Sequence, residues 1–182
     1  MPLQDASYLF SSDRLGFRPW QNNDLPGMAA ICADEQVMTY FPSTLTKEET
    51  WNFIERMQLL YEERQHCYFA VELLLENRQL IGFIGLGYQT FESTFTPMVD
   101  LGWRLTPEVW GRGLATEGAR RCMIYAKNEL GLNHLYAIAP ELNLKSIKVM
   151  KKIGLQFNQE FLHPLLGEYK ELQRCVLYDK SI

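Results

Sequence analysis

No stretch of the chain is both apolar and uncharged for long enough to read as a membrane-spanning helix. Paired cysteines are also missing. Cys32, Cys67, Cys122 and Cys175 stand far apart, without CxxC spacing or a His neighbour at metal-ligand distance, which excludes a zinc or disulfide framework and leaves reduced, buried thiols. Nor is there an excess of positive charge: 18 Lys and Arg stand against 22 Asp and Glu, a net charge of -4 that argues against nonspecific nucleic-acid binding and suits a cationic substrate. The three histidines, His66, His134 and His163, are scattered, and each reads as a core or turn residue. The opening MPLQDASYLFSSDR places an acid before its only base and has no continuous apolar core, so it does not read as a secretory leader, and the expected location is the cytoplasm. Internal repeats, low-complexity tracts and linkers are absent too, which leaves one domain over residues 12–180 as the expectation.

The 182 residues, 47% of them apolar, suffice for a single core that buries roughly two thirds of the unfolded surface. RLGFR, from Arg14, alternates like a strand, and the turn residues PWQNND follow it. Asn23 or Asp24 can cap a helix through about Cys32. Thr46 and Glu49 form a capping box ahead of Trp51, Ile54, Met57 and Leu60 at helical spacing. CYFAVELLL and LIGFIGLGY, separated by Glu76 to Gln79, read as a hairpin. MVDLGWRL alternates, with Leu101, Trp103 and Leu105 on one face and Asp100, Gly102 and Arg104 on the other. After Pro107 and WGRG, a helix from Leu114 carries Ala115, Ala119, Met123, Ala126 and Leu130 along one stripe until Gly131. HLYAIA, a helix from Asn143 to Ile153, and the strands LQFNQEF and ELQRCVLY complete the order βααβββαβαββ.

The chemistry is concentrated in WGRGLATEG. Gly111 and Gly113 permit backbone conformations in which successive amides point into one concavity, and such a nest binds an anion. The helix from Leu114 adds its unpaired first-turn amides and about half a positive charge, and Thr116 adds a hydroxyl. No Lys followed by Ser or Thr comes after the glycines, so this is not the triphosphate loop, and Thr116 breaks the dinucleotide GxGxxG pattern. A GxGxA loop for some other diphosphate remains, or a tight turn with no ligand.

LGWRLTPEVWGRGLATEGARR, followed by ELNLKSIKVMKKIGLQF, resembles the Gcn5-related N-acetyltransferase (GNAT) superfamily, and within it the branch of ribosomal-protein N-terminal acetyltransferases. RLGFRPW and FLHPLLGEYKELQRCVLY extend the likeness from Arg14 to Tyr178. The resemblance implies an α/β (α+β) fold: a mixed, mostly antiparallel seven-stranded sheet, flanked by helices and splayed in the middle to admit coenzyme A. It implies acetyl-CoA as co-substrate, no metal, an amine acceptor (a peptide N-terminus or a small amine such as a polyamine or amino-sugar), no nucleic acid or membrane partner, and a monomer or homodimer. Backbone amides of Trp110, Gly111, Arg112, Gly113, Leu114, Ala115 and Thr116 would hold the pyrophosphate, and Trp103, Arg104 and Leu105 would pair with pantetheine. Asn143 would contact the arm or the thioester, with Ser146 near the sulfur; the residues alone also allow Asn143 simply to cap its helix.

Deprotonating the amine at pH 7 costs roughly 1 kcal/mol for an α-amine and about 4.6 kcal/mol for lysine. Asp100 is the leading base, acting through a water, although it could instead pair with Arg104. Glu160 and Glu168 are weaker candidates. Met150 stands where many members have the tyrosine that protonates the departing thiolate, which leaves Ser146 as donor. That missing tyrosine keeps open a second reading, a coenzyme-binding domain without catalysis.

Overall fold

The computed structural model describes residues 7–182. Among these residues, eight strands form one sheet in the order β1-β2-β3-β4-β5-β6-β8-β7. They are β1 (Phe10–Ser11), β2 (Leu15–Arg18), β3 (Tyr68–Leu73), β4 (Gln79–Gln89), β5 (Met98–Leu105), β6 (His134–Pro140), β7 (Gln156–Leu162) and β8 (Arg174–Ser181). The helices are α1 (Leu25–Ala33), α2 (Lys47–Arg64), α3 (Leu114–Asn128), α4 (Leu144–Lys152) and the single turn α5 (Lys170–Gln173). All neighbouring strands are antiparallel except β5 and β6. The eighth strand, beyond the seven expected, is β1; two residues are too few to show a period, and it is held by Phe10 stacking on Phe17 at 4.6 Å and on Tyr125 at 4.4 Å.

Phe83 and Ile84 are consecutive on β4 and so point to opposite faces. Phe53 of α2 meets Phe83 with ring centroids 5.3 Å apart, whereas Ile84 reaches α3, its Cδ1 lying 2.3 Å from where a Cβ on Gly118 would sit. The helices therefore divide between the two faces. Gly118 lets α3 approach so closely that its buried stripe becomes Leu114, Gly118, Ala119, Cys122 and Ala126, rotated from the expected one, while Ala115 and Met123 are only half-buried. α3 also stops at Asn128, capped by Glu129, and Gly131 (φ +65°) makes the turn that follows. The Thr46–Glu49 capping box forms as expected, with Thr46 Oγ1 accepting from Glu49 N at 3.1 Å.

Asp24 does not cap α1 through its side chain. It is taken up by Arg18, whose Nη1 and Nη2 donate to its two oxygens at 2.7 Å each, while Arg18 Nε donates to Glu72 at 2.8 Å. Burial pulls the Arg18 guanidinium toward neutrality, but the two carboxylates raise its pKa overall, so it stays charged. The network ties the end of β2 to β3 and to the start of α1. All four cysteines are free and buried. Burial pushes the thiols of Cys67 and Cys122 far up and that of Cys175 up to about 12.

Removing one partner of a buried charge leaves the other uncompensated. Asp24→Ala is therefore expected to lower stability by roughly 3 kcal/mol, measured as a drop in the urea midpoint at unchanged slope.

Candidate active site

β5 and β6 share a single registered pair, Asp100↔Tyr136. Past it, toward the C-terminal ends of both strands, residues 101–105 have no ladder partner on that side, although β5 is paired with β4 from Met98 to Leu105. The result is a gap with a free backbone edge in the middle of the sheet.

The glycine loop closes one end of this gap. Gly111 (φ +74°) and Gly113 (φ +80°) take up the left-handed backbone expected of them, and Gly113 is the N-cap of α3. The first intrahelical bond is donated by Glu117 N to Gly113 O at 3.0 Å, so the amides of Leu114, Ala115 and Thr116 face outward without helical acceptors. Trp110 donates its indole N–H to Leu105 O at 2.8 Å, tying the loop to the end of β5. Lys145 lies 4.6 Å over the Trp110 ring, which brings the first turn of α4 beside the loop. There Asn143 Oδ1 accepts from Ser146 N at 3.1 Å: Asn143 is the helix cap, and Ser146 is half-buried. Met150 is buried and supplies no acid.

Two residues that the sequence did not single out hold the loop. Arg14 of the β1–β2 turn donates through Nη1 to Arg112 O at 3.0 Å and through Nε to Glu117 Oε2 at 2.7 Å; Ser12 Oγ donates to Glu117 at 2.7 Å. Partial burial raises the Glu117 carboxyl, but Ser12 and Arg14 bring it below its ordinary value overall. An acid in the first turn of an anion-facing helix is thus matched by a cation. The Arg112 side chain pairs with Glu76. Beside the loop lies a groove of about 1070 Å³ whose lining includes Arg14, Gly113, Thr116, Arg120, Arg121 and Lys152.

On the α1/α2 face, Asp100 is 6% exposed. It does not pair with Arg104. Tyr68 Oη lies 2.9 and 3.0 Å from its two oxygens, and Gln89 Nε2 donates to Oδ1 at 2.9 Å. The Tyr68 ring fills the space over the neighbouring glycines: a Cβ on Gly87 or Gly102 would fall 2.4–2.6 Å from it. Burial raises the Asp100 pKa, against the opposing pull of Gln89 and Tyr68. Tyr68 is pushed well above its ordinary value, first by burial and then by Asp100, so it remains a neutral donor. Of the weaker acids, Glu160 sits in an exposed pair with Arg174 at 3.5 Å, and Glu168 is exposed. His66 is buried against Leu86 O at 2.8 Å, and His163 Nδ1 accepts from Leu165 N in a turn, as read from the sequence. Among the described residues no cluster of His, Cys, Asp and Glu could hold a metal, and no helix is long and apolar enough to cross a membrane.

Known proteins resemble this chain in sequence and in fold. Spermidine N(1)-acetyltransferase of Escherichia coli (strain K12) is 25% identical over 174 residues, covering 92% of this chain and 88% of that one. The crystal structure of a GNAT-family acetyltransferase from Bacillus anthracis superposes with a TM-score of 0.78 at 24% identity, over 94% of this chain and 96% of that one. RimL, a ribosomal L7/L12 α-N-protein acetyltransferase solved with coenzyme A, shares the fold with a TM-score of 0.76 at 13% identity, over 94% and 96%. Residues 14–156 match the acetyltransferase (GNAT) domain. With most of the chain inside that match, the chain belongs to the GNAT family and is an N-acetyltransferase.

Proposed function

We propose that residues 12–180 act as one catalytic domain that binds acetyl-CoA across the β5–β6 gap and passes its acetyl group directly to a primary amine, of a peptide N-terminus or a small molecule. The observation that carries this reading is the single-pair junction at Asp100↔Tyr136 with an anion-binding loop at its open end. The pyrophosphate lies on the amides from Trp110 to Thr116. Pantetheine, whose amides resemble a peptide, follows the edge of Trp103, Arg104 and Leu105. Asn143 and Ser146 stand across the gap beside the thioester; capping engages only Oδ1 of Asn143, and its amide nitrogen stays available to the arm.

The amine approaches from the α1/α2 face. Its lone pair forms the C–N bond, the C–S bond breaks, and the thiolate takes a proton from water, directly or relayed through the Ser146 hydroxyl, which regains its proton from that water. An amide near Trp103 or Leu105 stabilises the oxyanion, a contribution worth roughly 3 kcal/mol for a positioned donor. Asp100 takes the ammonium proton through a water. Its raised pKa moves it toward the amine it must deprotonate, and the donors Tyr68 and Gln89 fix its orientation. The reaction needs no metal. Acceptors worth assaying first are N-terminal peptides and spermidine, the substrate that one relative's name carries.

Gly113→Asp puts a negative side chain into the nest at φ +80° and is expected to abolish acetyl-CoA binding by calorimetry up to millimolar ligand, while the left-handed strain lowers the thermal midpoint by only a few degrees. Arg14→Met frees the Arg112 carbonyl and leaves Glu117 uncompensated beside the diphosphate; the expected outcome is a rise in the acetyl-CoA KM of about tenfold with little change in kcat. Because the base works deprotonated and its pKa is raised, wild-type kcat/KM rises with pH from above the ordinary carboxylate range. Asp100→Asn removes that limb and loses more rate at neutral than at high pH. A constant ratio across pH would remove Asp100 as the base.

A further inference from the structure

Among the described residues, Arg104 has no charged partner. On β5 it stands directly across from Phe83, which places its side chain on the same face as Asp100 and toward α1 and α2. Its guanidinium lies 4.2 Å over the Phe41 ring and 5.3 Å from the Phe83 centroid, and Nη1 donates to Cys32 Sγ at 3.3 Å. Among the described residues it forms no ion pair, and its buried Nε has no hydrogen-bond partner. Arg64 Nε shares that condition, but the Arg64 guanidinium has Glu63 at 3.2 Å. The contrast with Arg18 is sharper, since two carboxylates neutralise that buried guanidinium. Burial pulls the Arg104 pKa down, against which a thiol and a phenol offer little.

An orphaned N–H beside a desolvated cation is costly unless something completes it. The Nε side of a guanidinium presents two parallel donors, a fork that fits a carboxylate. Phe41, which stacks on Arg104, lies on the α1–α2 connection and is 37% exposed, so displacing one surface ring opens the guanidinium to a ligand. Asp100 and Arg104 are four residues apart on one strand face, with the Tyr68 ring over Gly102 between them. An acceptor lying along this face meets a base at one end and a fixed cation at the other.

We propose that Arg104 holds an anionic group of the acceptor, so that the amine this chain acetylates also carries a carboxylate. This rests on the proposed entry of the amine from the α1/α2 face. It runs against the overall charge of -4, which alone favours a cationic substrate. The local guanidinium decides, because a polycation would set ammonium groups against it in a site where water screens little.

The test is a thiol-release assay with acetyl-CoA and matched acceptors: α- and ω-amino carboxylates and dipeptides, each beside its carboxamide, with spermidine as the polycation. The expected wild-type result is a kcat/KM for the best carboxylate at least about tenfold above that for its amide and for spermidine. Arg104→Met is expected to bring the acid-to-amide ratio near one, with Arg104→Lys retaining part of it. A wild-type preference for amides or spermidine, no carboxylate acetylated, or a ratio unmoved in Arg104→Met would each overturn the assignment. The wild-type comparison stands even where a variant fails to fold. Calorimetry with acetyl-CoA separates the two levels: absent coenzyme binding refutes the acetyl-transfer reading itself, whereas binding with the wrong acceptor preference refutes only the role of Arg104.

Discussion

One parallel pair in an otherwise antiparallel sheet governs where everything else can be. Antiparallel neighbours can be joined by a short turn, but β5 and β6 run the same way, and the chain must cross over a face to connect them. α3 is that crossover. It starts at the C-terminal end of β5, so its unpaired amides arrive at the end where the two strands part. The glycine loop, the positive end of a helix and a free strand edge are thus brought together by connectivity alone. The antiparallel pairing of β6 with β8 then holds the far side of the gap in place.

Much of this was legible because it is local. The bounds of β5, the capping box at Thr46 and the left-handed glycines at 111 and 113 each depend on residues adjacent in sequence. What escaped depends on distant partners. The α3 stripe was misplaced because Gly118 scores as neither apolar nor buried in a periodic pattern, yet its missing side chain is what admits Ile84. Asp24 looked like a cap, since nothing nearby says that Arg18 will claim it. Tyr68 and Gln89 meet Asp100 only through strand register. A faint trace of that contact does exist: Gly87 and Gly102 stand on facing strands, and a glycine pair inside a sheet marks where a large ring crosses from elsewhere. The resemblance to a family supplied roles for backbone groups, which tolerate changes in the side chains they carry. It did not anticipate the surroundings of Asp100 or Arg104, which this chain's own residues set.

The buried charges divide into two kinds. Arg18, Asp24 and Glu72 satisfy one another and lock strand to helix. Among the described residues, Asp100 is buried with donors but no cation, and Arg104 is half-buried among rings with no anion. A fold gains nothing from leaving such groups incomplete, and both lie on one face of one strand, next to the gap.

The four cysteines, so far only part of the core, bear on how the protein survives its own turnover. Acetyl transfer from a thioester releases a free thiol, and thiols trade disulfides and acyl groups with any accessible thiolate. Cys67, Cys122 and Cys175 stay protonated far above neutral pH, and Cys32 is sealed beneath Arg104. Spent coenzyme thus meets no accessible thiolate among these four side chains, a chemical quiet that the packing provides without any dedicated device.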